Sequence, residues 1–178
     1  MKLILVFGIS GVGKTTLCND IVRDKPDILR FSASELLRSA TSETSEHLRT
    51  SSPDQIGENQ NLIRQQLLAR VPGDYDGIVL LEAHSVIDNG NQLVRIPEGV
   101  ITELSPHRLV FLEAEPSLIA MRRQLQGEGR GEMRSVDEIS QHQILAIEQA
   151  SRYSDMLGIK LERIKVDDQI DAQSVLNV

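Results

Sequence analysis

The 178-residue chain has no tryptophan, and only 3% of its residues are aromatic. Platforms that stack several bases draw on aromatic side chains, so that mode of nucleic-acid binding is not expected. Cysteine occurs once, as Cys18, and the chain cannot close an internal disulfide. A reducing cytoplasm is the expected compartment, and a packed thiol the expected role. Positive charge is also scarce. Lys and Arg number 19 against 26 Asp and Glu, for a net charge of −7. A general nucleic-acid binder needs a basic surface, so no nucleic-acid partner is expected. No apolar run approaches the ~20 residues of a membrane span, and no membrane partner is expected. The apolar start, Met1–Phe7, is short, lacks a small-residue cleavage site and runs directly into Gly8. It reads as a buried strand and not as a leader.

What is present has the order of an α/β protein. Short apolar β runs at Lys2–Phe7, Ile28–Phe31, Gly77–Leu81, Arg108–Glu113 and Leu161–Val166 alternate with longer stripes of helical spacing. The stripes run from Gly13 to about Lys25, through Ile56, Ile63, Leu67 and Val71, over Pro116–Leu125, and from Ser135 to Leu157 with Gly158 after it. A short C-terminal helix is expected after the last strand. Three capping pairs mark helix starts: Ser32 with Glu35, Ser52 with Gln55 beside Pro53, and Ser135 with Glu138. Asn89–Gly90, between Val86–Ile87 and Leu93–Ile96, signals a hairpin. A short helix is expected from Pro97 to Leu104. Thr41–Ser52 is rich in Ser, Thr and Glu and reads as a mobile loop. No repeat or interdomain linker interrupts the chain, so a single domain built on a parallel sheet is expected.

Gly8-Ile9-Ser10-Gly11-Val12-Gly13-Lys14-Thr15 satisfies the Walker A pattern, with a strand before it and a helix after it. The glycines let successive backbone N–H groups point at phosphates, and the helix start adds a favourable dipole. Lys14 is placed to bridge the β- and γ-phosphates of ATP, and the Thr15 hydroxyl to ligate Mg²⁺. Gly8, Ser10, Gly11, Val12, Gly13, Lys14, Thr15 and Thr16 are therefore the expected nucleotide-binding set. The fold expected is the P-loop NTPase fold, a five-stranded parallel sheet flanked by helices, with a mobile lid. GTPases carry an Asn-Lys-x-Asp base reader, which is absent. AAA-type ATPases are longer and end the acidic strand on an Asp-Glu pair, where this chain has Glu82-Ala83. A small phosphotransferase is the reading left.

Phosphoryl transfer is mostly positioning and charge neutralisation. Arg122, Arg123, Arg130 and Arg134 cluster around the glycines at 127, 129 and 131, as a closing lid requires. Arg130 and Arg134 are expected as catalytic cations, with Arg122 on the nucleotide. Glu82 ends a strand at the sheet edge where open α/β sheets bind ligands, and it is expected, with Thr15, at the metal, its carboxylate orienting Mg²⁺ waters or the acceptor. Gln143 lies in an otherwise apolar helix stripe and needs partners, either a nucleotide or the backbone. Arg38 is expected as a half-buried cation across the cleft, where an incoming phosphate needs neutralising. The bland alternative for it is a surface pair with Glu35.

These motifs, taken in order, resemble the nucleoside monophosphate kinases, most closely the archaeal-type adenylate kinases. The resemblance rests on the loop at Gly8–Thr16, on Phe31-Ser32-Ala33-Ser34-Glu35-Leu36-Leu37-Arg38, on Glu82-Ala83-His84-Ser85, on Met121-Arg122-Arg123 and on His142-Gln143. It implies a core over 1–32, 76–126 and 136–178, an acceptor-binding insert over 33–75 and a lid over 127–135. It implies Ser32, Arg38, His84 and Gln143 at the acceptor, with AMP as that acceptor, and a homo-oligomer, a trimer. The chain departs from the family pattern at Glu82, where the family has Asp, and at Ala146 and Ile147, where it has Asn and Arg. Two other readings stay open: a kinase of another small acceptor, and a nucleotide-binding regulatory module with little turnover.

Overall fold

The computed structural model describes residues 1–41, 44, 48, 52–125, 134–166 and 173–176. The order is β1 (Lys2–Phe7), α1 (Lys14–Asp24), β2 (Leu29–Ser32), α2 (Ala33–Thr41), α3 (Pro53–Arg70), β3 (Ile78–Glu82), β4 (Val86–Asp88), β5 (Leu93–Arg95), α4 (Glu98–Leu104), β6 (Arg108–Glu113), α5 (Pro116–Leu125), α6 (Val136–Leu157), β7 (Leu161–Lys165) and α7 (Gln173–Leu176).

Five strands form one parallel sheet in the order β2-β3-β1-β6-β7. The three inner strands are near-continuous apolar runs, as a sheet covered on both faces demands. Leu3–Phe7, Val79–Leu81 and Leu109–Leu112 are all buried. The edge strands β2 and β7 are only half-covered, and β7 carries Glu162, Arg163 and Lys165, charges that discourage pairing with another chain. Cys18 is fully buried beneath the sheet on α1, the packed thiol expected of it.

Local signals place most boundaries. Ser52 and Gln55 form the full reciprocal capping box on α3, and Ser135 and Glu138 form it on α6. Gly158 ends α6 in the left-handed conformation, φ 66°. The hairpin forms from β4 and β5, closed by four residues in place of the two-residue turn that Asn-Gly favours. The Asn89 side-chain oxygen accepts from the backbone N–H groups of Asn91 and Gln92 and shapes that wider turn. The expected Ser32–Glu35 box does not form. Ser32 ends β2 and its hydroxyl meets that of Ser34 at 2.9 Å. The loop expected over 41–52 lies largely outside the described residues, as do residues 126–133 of the expected lid, Arg130 among them.

The hairpin has its own sheet and leans on α6. His142 meets the Val86 carbonyl at 3.2 Å, Gln149 donates to Ile96 at 3.0 Å, and the Tyr153 hydroxyl donates to Ile96 at 2.6 Å. These rungs require α6 to start in register. We predict that Ser135→Ala costs about 1 kcal/mol of stability. A urea melt should show a lower midpoint with an unchanged slope; an unchanged midpoint would mean the box contributes nothing.

Candidate nucleotide site

The chain leaves β1 at Phe7, curls through residues 8–13 and enters α1 at Lys14. The curl depends on missing side chains. At Gly8, φ 150°, an added Cβ would lie 2.8 Å from the Leu112 carbonyl oxygen of β6 and 2.8 Å from Val12 Cγ1. Gly13 holds the N-cap of α1 at φ 110°, and no side chain among the described residues caps the helix. No acidic residue lies in its first turn either. The first amides of α1 are therefore left to an anion, and the helix dipole favours one there.

Cations gather on the carbonyl side of the loop. Lys14 is 9% exposed, and its ammonium donates to the carbonyls of Gly8 at 2.7 Å and Ile9 at 3.2 Å. Arg122 donates to the Val12 carbonyl at 3.0 Å. Arg123 donates to the Ser10 carbonyl through two nitrogens, at 3.0 and 2.8 Å. The two arginines of α5 thus reach back to the loop, although more than a hundred residues separate them from it.

Glu82 ends β3 beside the loop, 4% exposed. One carboxylate oxygen accepts from the Thr15 hydroxyl at 2.8 Å, and the other from Arg30 Nε at 2.5 Å. Thr15 and Glu82, both expected at the metal, thus touch one another. Arg30 was not anticipated. Its only sequence signal is a charge within the short apolar run of the second strand, opposite an acid that ends the third.

Other expected residues fall elsewhere. Gln143 was expected at a substrate. Its amide oxygen accepts from the Ala114 N–H at 3.2 Å and its amide nitrogen donates to the Ala114 carbonyl at 3.0 Å. It satisfies backbone groups just past the end of β6, the second of the two alternatives, and the substrate role is withdrawn. Arg134 was expected on transferring phosphates. Its fork grips both oxygens of Asp88 at 3.0 Å and the Gly90 carbonyl at 2.8 Å, tying the hairpin turn to the start of α6. Burial alone would raise the Asp88 carboxyl, but the bonds from Arg134 and the Gly90 N–H outweigh it and hold the group below its ordinary value. Arg38 was expected half-buried; it is exposed, and among the described residues it forms no ion pair with Glu35 or any other acid. The desolvation argument for it therefore fails. Ser32 lies opposite Glu82 in the sheet register, Thr15 and Thr16 face solvent, and Ala146 is buried with its carbonyl accepting from Ser85 at 2.8 Å.

His84 and His142 both lie close enough to Lys14 to feel its charge. Desolvation, followed by the charges of Lys14 and His142, holds His84 well below the ordinary imidazole value, although a backbone bond with Gly8 works the other way. Burial likewise lowers His142, against the pull of the Val86 bond and Asp88. Both rings are neutral at pH 7. His84 thus lies near the loop as an uncharged neighbour of Lys14.

The uncapped helix start and the glycine curl fit a triphosphate. Thr15 and Glu82 are hard oxygen donors, which suit Mg²⁺. Among the described residues no cluster of three or more His, Cys, Asp or Glu exists to cage a metal alone. The fit is to a cation that shares the nucleotide's oxygens. No described helix is long and apolar enough to cross a membrane.

Comparisons with known proteins agree with this fold. A family profile described as an AAA domain matches residues 7–142. Adenylate kinases of Pyrobaculum aerophilum, Methanopyrus kandleri and Saccharolobus islandicus are 26%, 27% and 29% identical to the chain. The alignments cover 86%, 93% and 99% of the chain and 76%, 90% and 98% of those proteins. The fold resembles a shikimate kinase from Bacteroides thetaiotaomicron, with TM-score 0.60 and 17% identity over 99% of this chain and 93% of that one. It also resembles a gluconokinase from Sinorhizobium meliloti, with TM-score 0.54 and 14% identity over 99% and 90%. The absence of an Asp-Glu pair after β3 therefore does not place the chain outside proteins that carry the AAA description; it bears only on the reaction.

The histidines make stability depend on pH. The unfolded chain binds a proton at each near the ordinary value of 6.5, while the folded chain resists it. The unfolded state then holds more protons, so stability is full above about pH 6.5 and declines as pH falls below it. We predict a lower urea midpoint at pH 5.5 than at pH 7.5, and a smaller difference in His142→Gln. An identical difference in that variant would remove His142 from the account.

Proposed function

The chain belongs to that AAA-domain family of P-loop proteins, and on that premise we propose that it is a small ATP-dependent phosphotransferase, moving the γ-phosphoryl of ATP to a nucleoside monophosphate, with AMP the first acceptor to try. The observation that carries the reading is the Thr15–Glu82 contact of 2.8 Å beside an uncapped helix start. It supports the reading because a P-loop nucleotide needs a hydroxyl for its divalent cation beside the β- and γ-phosphates. The choice of acceptor is supported by relatives named adenylate kinase that align over most of the chain.

Each group has a role in this reading. Lys14 exchanges the carbonyls of Gly8 and Ile9 for the β- and γ-phosphates, so its charge is already in place when the nucleotide enters. Thr15 offers a lone pair to Mg²⁺ while its O–H stays on Glu82. The cation supplies charge neutralisation on the transferring phosphoryl. Arg122 and Arg123 stiffen the loop from its carbonyl side, and Arg130 adds a cation from the segment beyond α5. Ser32, Arg38 and His84 are assigned to the acceptor in this reading, with Arg38 on its phosphate. The neutral imidazole of His84 can give or take a hydrogen bond there without adding to the charge of Lys14.

A kinase of another small acceptor is the second reading, favoured by the solvent exposure of Arg38. An exposed cation holds a phosphate weakly and discriminates little.

A coupled assay of ATP against nucleoside monophosphates and nucleosides tests both. Under the leading reading AMP turns over, Lys14→Met loses at least ~10²-fold in kcat with its melting curve retained, and Arg38→Ala raises the KM for AMP by about tenfold. Near-normal turnover in a folded Lys14→Met protein would end the kinase reading. Equal turnover of a nucleoside and its monophosphate, with Arg38→Ala indifferent to both, would hand the case to the second.

A further inference from the structure

Glu82 and Arg30 form an ion pair inside the site, with side chains 4% and 18% exposed. Pairing across β2 and β3 sets Arg30 against Leu80 and Ser32 against Glu82. Residues two apart share a sheet face, so Arg30 rises toward Glu82 from one step below. The two strands are already joined along four register positions and do not need a side-chain tie. Buried ion pairs are a poor stability device, since desolvation consumes much of their attraction. A reason for this one is better sought in what lies beside it.

Beside it is the place of a triphosphate. Thr15 binds Glu82 and also opens α1, whose uncapped amides face the phosphates. An unpaired carboxylate at Glu82 would repel a nucleotide that arrived without its divalent cation, and the repulsion would be strong where water is excluded. Arg30 cancels that charge in advance. It also fixes the carboxylate rotamer: with one oxygen held by Arg30, the other is left for Thr15.

We propose that Arg30 is a positioning residue and resident counter-cation: by neutralising Glu82 it lets the loop accept a nucleoside triphosphate before the divalent cation, and it keeps the Thr15 hydroxyl oriented for the cation that follows. The proposal rests on the nucleotide reading above but not on the identity of the acceptor.

The test is the ratio of two affinities, for ATP in EDTA and for ATP in excess Mg²⁺, each read by displacement of a fluorescent ATP analogue. Wild type, Arg30→Gln, Arg30→Lys, Glu82→Gln and the Arg30→Gln/Glu82→Gln double variant are compared. Arg30→Gln should weaken metal-free ATP about tenfold relative to wild type and leave the Mg²⁺ value within about threefold. Arg30→Lys should keep the wild-type ratio, and the double variant should restore it. Glu82→Gln alone should shift the ratio the other way, because Arg30 is then an unbalanced cation; this arm decides if Arg30→Gln does not fold. A merely structural role for Arg30 moves both affinities together. That result, an unmoved ratio, or a double variant that fails to restore it overturns the proposal. A wild-type protein that binds ATP in neither condition would instead overturn the nucleotide reading on which it rests.

Discussion

The backbone at Gly8 has no room for a side chain, because the carbonyl of Leu112 on the next strand occupies the space. Much else depends on that contact. It lets β1 turn against β6 instead of running past it, so the loop is seated on the sheet and α1 begins directly above the strand ends. Ile9 and Val12 are then driven into the core, both fully buried, and they anchor the loop as two apolar pegs. With the loop fixed, its carbonyls face outward to the arginines of α5, and the first amides of α1 face the cleft. The adjacency of β1 to β3 on its other side brings Glu82 to the same place, opposite Val6 in the register.

Charge in the site is balanced locally. Lys14 lies on carbonyl dipoles, Glu82 lies between a hydroxyl and a guanidinium, and the two histidines stay neutral. The overall charge of −7 is therefore no obstacle to an anionic ligand, since the field near the loop is set by groups within a few ångströms and more distant surface charge is screened. Arg134 and Asp88 show the same economy at the hairpin, where the pair holds a turn and leaves little free charge.

Features written within a few residues were legible in the sequence. The loop motif, the capping boxes at Ser52 and Ser135, and the strand–helix order all depend on near neighbours, and they stand where they were expected. Features set by sheet register were not legible. Arg30 and Glu82 are 52 residues apart, and only the pairing of β2 with β3 makes them partners. Gln143 was correctly singled out as a polar residue in an apolar stripe, yet its partner is the backbone after β6, a choice made by tertiary packing. Arg38 was misjudged because helical spacing says which residues share a face but not how deeply that face is covered. For Ser32 the local capping signal lost to the sheet, which kept the residue as the last position of β2.

Cys18 lies fully buried under this machinery, and desolvation, with the charge of Glu82 behind it, pushes its thiol up to about 12. At neutral pH the folded protein presents neither thiolate nor access to an alkylating reagent. The one sulfhydryl of the chain is thus silent while α1 rests on the sheet and reactive once that helix lifts. Its labelling rate therefore serves as a native clock for opening of the nucleotide loop's own foundation, with no probe to be engineered.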